Sequence, residues 1–246
     1  MNNFSKYYDL FVGADYDTIS DYINKQIQML KPDSELVCDL GCGTANVTLR
    51  LAKSGYDMIG IDSDEDMLIN AREKLERSNI NDVLLLNQNI SEFELYGTVD
   101  VIYSTLDSIN YLIYKKDLCS LFALVKNYLN YDGLFIFDIN SEYKFKNILN
   151  DNCYVYQTKD VFCCWQCSYD FKTDICWHDL TYFEKSKDGR YVRSDCVQKQ
   201  RFYSIDYIRD LASRYSFEIL KINDNYTDMP VTDKTERISF VMKINK

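Results

Sequence analysis

Breakers of regular structure are scarce in this chain, with 2 prolines and 8 glycines in 246 residues. That leaves no room for a long flexible linker, and the length suits one α/β domain, alone or carrying an insertion. Positive charge is also short: 28 Lys and Arg stand against 38 Asp and Glu, a net charge of −10, with an isoelectric point near 4.7. An acidic surface disfavours long-range attraction to nucleic acid or to an anionic membrane. The basic residues between Lys185 and Arg201 are interrupted by Asp188 and Asp195, as on a solvated strand face. No apolar run approaches the length of a membrane span, and Met1-Asn2-Asn3-Phe4-Ser5-Lys6 has no apolar signal core. Nine cysteines, an odd number, sit within apolar patterns. Without an export signal, reduced thiols in a cytoplasmic protein are the expectation. Histidine occurs once, as His178. No feature of the sequence sets the oligomeric state.

What is present is organised around residues 36–46. An apolar run ends in Asp39, two glycines follow at Gly41 and Gly43, and a helical pattern opens at Thr44. This is the outline of a first strand, a tight turn and a first helix in a nucleotide-type α/β fold. Glycine takes positive φ and lets a ligand approach the backbone. The acid decides the ligand. Bare turns hold phosphate on N–H groups, whereas a carboxylate at the strand end repels a pyrophosphate and suits a cation. S-adenosylmethionine (SAM) carries an ammonium and a sulfonium and no phosphate. Asp62 ends a second apolar run, Asp57 to Asp62, 23 residues after Asp39. Such folds place a ribose-binding carboxylate at about that distance.

Asp39-Leu40-Gly41-Cys42-Gly43-Thr44 resembles motif I of the class I SAM-dependent methyltransferases, D/E-x-G-x-G-x. The resemblance implies that Asp39, Gly41, Cys42 and Gly43 hold the methionine end of the donor. Asp62 takes the ribose, and Ser63 and Met67 flank the adenine, with core packing the alternative for Met67. It also implies that the Tyr-rich segments around Tyr8 and Tyr16 fold over the donor; packing of those rings in the core is the other possibility. After a third strand, Val83 to Asn87, the family has Asp followed by an apolar residue, and here Asn89-Ile90 stands in that place. An amide oxygen can still accept from the adenine amino group, less strongly than a carboxylate.

A fourth strand, Val99 to Tyr103, leads into Ser104-Thr105-Leu106-Asp107-Ser108-Ile109-Asn110-Tyr111-Leu112. Ligands in open α/β sheets sit beyond the carboxyl ends of strands, so this loop is expected to face the donor methyl. It resembles the C-x-x-D-S-x-N-Y-L loop of a bacterial subgroup of small-molecule methyltransferases. Leu106 is expected against the donor, and Asp107, Asn110 and Tyr111 against the acceptor. A helix over 117–129, a turn at Asp132-Gly133 and a strand from Leu134 to Asp138 complete a parallel sheet.

From 153 to 202 the pattern alternates. Val161, Cys163, Trp165, Cys167, Tyr169 and Phe171 share one face. Ile175, Trp177, Asp179, Thr181 and Phe183 share another, with turns at Thr173-Asp174 and Lys187-Asp188-Gly189. This is an antiparallel meander inserted into the sheet domain; the resemblance implies a lid over the acceptor pocket, and packing on the main domain is the other use of its aromatics. Cys164-Trp165-Gln166-Cys167 has no second C-x-x-C, and residues three apart on a strand face oppositely, so no metal site is expected. His178 lies in the meander as a candidate catalytic base, with Asp107 as its rival and Tyr111 as a positioning group. A last helix from Ile205 to about Arg214 precedes two strands, 217–222 and 237–244. Their connection is too short for a parallel crossover, so they run antiparallel.

The expected architecture is therefore α/β: a Rossmann-like, seven-stranded, mostly parallel sheet with helices on both faces, plus an inserted antiparallel β lid. Residues 1–140 and 205–246 form the SAM-binding domain and 141–204 the lid. The expected activity is methyl transfer from SAM to a nitrogen or oxygen of a small molecule, with S-adenosylhomocysteine as product. An NAD-dependent oxidoreductase on a similar fold and a non-catalytic SAM-binding module are the alternatives.

Overall fold

Two helices open the chain. In the computed structural model, which describes residues 3–245, α1 runs Asn3–Phe11 and α2 Tyr16–Leu30, as the three- and four-residue spacing of their apolar side chains predicts. Asp15 starts α2 by accepting from Thr18 N at 3.0 Å. Strand and helix then alternate: β1 (Leu36–Leu40), α3 (Asn46–Lys53), β2 (Asp57–Asp62), α4 (Glu65–Arg77), β3 (Leu84–Asn87), β4 (Val99–Ser104), α5 (Lys115–Tyr128) and β5 (Leu129–Asn140). The chain closes with α6 (Ile205–Arg214), β10 (Phe217–Asp224) and β11 (Arg237–Ile244). The first sheet has the order β10-β11-β5-β4-β1-β2-β3. β11 runs against both β5 and β10, while the pairs among β1 to β5 are parallel.

The central parallel strands β1, β4 and β5 are largely buried because both faces of the sheet are covered, and the edge strand β3 is the more exposed one. Alternate residues go to opposite sides. Val37, Val101 and Val241 meet Ile23, Ile27 and Leu51 of α2 and α3 on one face. On the other face Phe135, Phe137 and Phe240 meet Phe122 of α5 and Leu211 of α6. Asp64 caps α4, accepting from Asp66 N and Met67 N. One boundary differs from expectation. No loop separates α5 from β5; Val99 pairs with Leu129 but Val101 with Leu134, so the residues between bulge, with Asp132 at φ 58°.

The second sheet is a meander of β6 (Asn152–Gln157), β7 (Val161–Asp170), β8 (Ile175–Lys185) and β9 (Tyr191–Arg201). β7 turns its expected face inward, but β8 does the reverse: Cys176, His178 and Tyr182 are buried and Trp177 is exposed. Register explains it. Tyr169, Cys167 and Cys163 lie directly opposite Cys176, His178 and Tyr182, and directly paired residues share a face. α1 packs between the sheets. Tyr7 stacks on Tyr182 at 5.9 Å and Phe11 meets Tyr156 at 5.2 Å, while Asp9 pairs with Lys74 of α4 at 2.7 Å.

Candidate functional site

β1 and β4 are adjacent in the sheet although β2 and β3 lie between them in the chain. Such a reversal opens a crevice at the carboxyl ends of the strands. Here the turn 41–45 begins. Gly41 and Cys42 donate their N–H groups to Ile61 O at 2.8 and 2.9 Å. Gly41 sits at φ +77°, and a Cβ there would lie 2.7 Å from Ser108 Oγ, so no other residue fits without displacing the loop. Asp62 buttresses the turn, accepting from Gly43 N at 2.8 Å on Oδ2 and from Asp64 N at 2.9 Å on Oδ1. Each oxygen keeps a second lone pair. Burial pushes the Asp62 carboxyl above its ordinary value despite those two bonds.

A cleft of about 930 Å³ runs from this turn to the second sheet. Gly41, Gly43, Asp62, Ser63 and Met67 line it, as do Asn89, Ile90 and Leu106. Asp107, Tyr111, His178 and Tyr8 line it as well. Tyr16, Asp39 and Cys42 instead border a smaller cavity adjoining the same turn, which Tyr8 and Leu106 also touch. Asp39 Oδ2 accepts from Thr48 Oγ1 at 2.6 Å and Tyr103 OH at 2.8 Å. Its Oδ1 is buried without a partner among the described residues. Burial pushes this carboxyl up to about 7, against the pull of those two hydroxyls.

Four expectations about individual side chains change. Asn110 lines neither cavity: Nδ2 donates to Arg201 O at 2.7 Å and Oδ1 accepts from Asn140 N at 2.9 Å, so it ties its loop to β9 and β5. Asn89 Oδ1 accepts from Ser91 N and Oγ at 2.9 and 3.0 Å. Both lone pairs are taken, and the amide offers a donor rather than an acceptor. Asp107 is no free base. It accepts from Arg237 Nη2 at 2.6 Å and from Gln200; burial raises its pKa, but Arg237 and Lys144 outweigh this and hold it below the ordinary value. His178 Nδ1 accepts the Trp165 indole N–H at 3.1 Å. An indole only donates, so the neutral ring carries its proton on Nε2 and faces the cleft as a donor. Burial brings His178 down to about 4, so the ring is neutral at pH 7.

Sequence reasoning missed Arg237, Asp138 and Lys144. Arg237 also bonds Asp138, which accepts from Tyr226 OH at 2.6 Å and from Asp107 N at 2.9 Å. These bonds fix Leu106 and Asp107, both at φ 56°. Asp138 had a visible signal, since it is the third acid at the carboxyl end of an apolar strand. Arg237 had none, because its place depends on β11 running backwards. Among the described residues no group of three or more His, Cys, Asp or Glu is arranged to hold a metal, and no helix is long and apolar enough to cross a membrane.

Residues 32–207 match a family model described as a methyltransferase domain. A Geobacillus sp. (strain WCH70) protein named as a methyltransferase is 30% identical over 243 residues, covering 98% of each chain. The crystal structure of a SAM-dependent methyltransferase from Clostridium acetobutylicum superposes with a TM-score of 0.89 at 28% identity, covering 100% of both chains. A Streptomyces venezuelae N,N-dimethyltransferase of a dTDP-linked amino sugar is 26% identical over 132 residues, 52% of this chain and 54% of that one.

Proposed function

Since this chain belongs to the methyltransferase-domain family and is a SAM-dependent methyltransferase, we propose that its acceptor is a nitrogen or oxygen of a small molecule. The family sets aside the oxidoreductase and the non-catalytic alternatives. The observation that carries the small-molecule reading is the cleft itself. Its far end is walled by the second sheet and α1, and its volume of about 930 Å³ is that of a small-ligand pocket. The relative acting on an amino sugar supports the same acceptor class. In this reading residues 1–140 with 205–246 bind the donor and 141–204 form the acceptor subdomain.

The residues present fit SAM. The partnerless Asp39 Oδ1 suits the ammonium, and Gly41 and Gly43 let the methionine end lie against backbone. Asp62, with a free lone pair on each oxygen, would take the ribose diol. Ser63, Met67 and Ile90 would flank the adenine, and Asn89 would donate to a ring nitrogen. Tyr8 and Leu106, which touch both cavities, would close over the methionine. When bound, SAM supplies a methyl on a sulfonium that leaves as a neutral thioether. The protein then needs no acid. Its work is to align the nucleophile and exclude water, with Tyr111 and the fixed Leu106–Asp107 pair shaping the approach. Because Asp107 and His178 offer no free base, the acceptor arrives with its lone pair available.

The test is transfer of labelled methyl from SAM into a cell extract separated by molecular weight. Label in the small-molecule fraction is expected. Label confined to protein or RNA would sink the reading.

A further inference from the structure

We propose that Lys144 and His178 form the seat for an oxyanion group, a carboxylate or a phosphate, carried on the flat apolar body of the methyl acceptor. The inference rests on the small-molecule reading above and names the acceptor's chemistry. The other charged groups at this end of the cleft are already bonded within the protein. Asp107 accepts from Arg237 and Gln200, and Asp138 from Arg237 and Tyr226. Gln200 Oε1 accepts from Asn140 Nδ2 at 3.0 Å. Two groups are left over, and both are donors.

The first is His178 Nε2, in a side chain only 4% exposed; no group among the described residues meets it in full hydrogen-bond geometry, and the Gln200 side chain acts on the ring. The Trp165 indole on Nδ1 fixes the proton on this nitrogen. The second is Lys144, which lines the cleft, gives one N–H to Asn140 Oδ1 at 2.9 Å and makes no ion pair among the described residues. Burial and the Arg237 charge pull its pKa below the ordinary lysine value, against Asp107, Asp138 and Glu236, the first two of which are bonded to Arg237. Its charge also lowers the proton affinity of His178, which places the two groups in one field. A buried donor without an acceptor is penalised. A ligand oxygen relieves both donors, and an ionised oxygen bonds the ammonium more strongly than a neutral one. A cationic acceptor end would meet the Lys144 ammonium and the His178 N–H, and its nearest carboxylate, Asp107, is already neutralised by Arg237. Gln198 and Tyr111 line the cleft nearby and can give or take a hydrogen bond, so they do not alter the preference.

The walls set the rest of the ligand. Tyr156 stacks against Trp165 at 6.4 Å, and Tyr182 against Tyr7 at 5.9 Å. These rings offer faces and edges to a flat apolar body.

Titration calorimetry on the full chain saturated with S-adenosylhomocysteine tests this with four probes sharing a phenyl body: phenylpropanoate, phenyl phosphate, phenylpropanamide and phenylpropylamine. At least one anion is expected to bind ten or more times tighter than the amide and the amine, and the tighter anion identifies the source of the oxyanion. Lys144→Met should abolish the preference, Lys144→Arg should restore most of it, and His178→Phe should lower it by a smaller factor. S-adenosylhomocysteine affinity should stay unchanged in all three. The wild-type ranking decides alone if a variant fails to fold. Equal binding of the amide, tighter binding of the amine, no binding of any probe, or a preference surviving Lys144→Met would overturn the oxyanion seat. Those outcomes leave the small-molecule reading intact, because that reading falls only to label found in macromolecules.

Discussion

The two ends of the cleft are built by different means. The end proposed for the donor is largely backbone: a glycine turn whose N–H groups bond Ile61 O and the Asp62 carboxylate. The end proposed for the acceptor is side chains delivered by four separate stretches, with Tyr111 from the 3-10 helix Ser108–Tyr111, Lys144 from the short helix Lys144–Leu149, His178 from β8 and Arg237 from β11. A backbone cradle depends on turn type and tolerates changes in the side chains around it. A seat of side chains changes with any one of them.

Substitutions can separate the two ends. The largest effect is expected at Arg237, which gathers Asp107 and Asp138. Arg237→Met leaves Asp107 and Asp138 buried without their cation, and loss of one partner from a buried pair costs about 3–5 kcal/mol. Denaturant unfolding should show it, and an unchanged midpoint would mean the cluster is not held as described. Next, Asp62→Ala should weaken SAM binding by about tenfold or more, as for lost hydrogen bonds to a charged group, with acceptor KM little altered. A calorimetric titration matching wild type would remove Asp62 from the donor site.

Asp39 sharpens the donor side through pH. Its folded pKa, about 7, lies above the ordinary aspartate value, so stability is fullest below about 4 and falls as pH rises through about 7. Asp39→Asn should cancel that loss, raising stability of the free protein at pH 8 by roughly 1–4 kcal/mol. The same carboxylate must be ionised to meet an ammonium. S-adenosylhomocysteine should therefore bind about tenfold more weakly at pH 5.5 than at pH 7, and Asp39→Asn should flatten that profile. A wild-type profile that is already flat would argue against the contact. The smallest effect belongs to the outward face of β8. Trp177→Ala removes the contact of Lys199, 3.8 Å over the ring, worth roughly 0.5–1 kcal/mol. Acceptor KM should not move, and a change would place Trp177 in the site.

The same division explains what could be read in advance. Acids ending apolar runs, paired glycines and the alternation of strand and helix are local patterns, so the sheet, the turn and Asp62 were legible. The second sheet was legible as a meander, but which side of β8 faces inward depends on pairing. Trp177 and His178 each suit a buried face, and only the register opposite Cys167 decides between them. Asn110 does not reach the cleft and the Asn89 oxygen is taken, because Asn110 is bonded to backbone of β5 and β9 and Asn89 to Ser91, partners that no spacing rule reveals. Arg237 could not be found, since its partners lie 99 and 130 residues away.

That separation has a consequence during synthesis. A nascent chain carries Asp107 and Asp138 out of the ribosome long before residue 237 is translated. Until then Asp107, in the loop after β4, and Asp138, on β5, have no guanidinium to gather them. The wall of the crevice that Arg237 braces is therefore completed last, after the strands that carry the glycine turn have all been made.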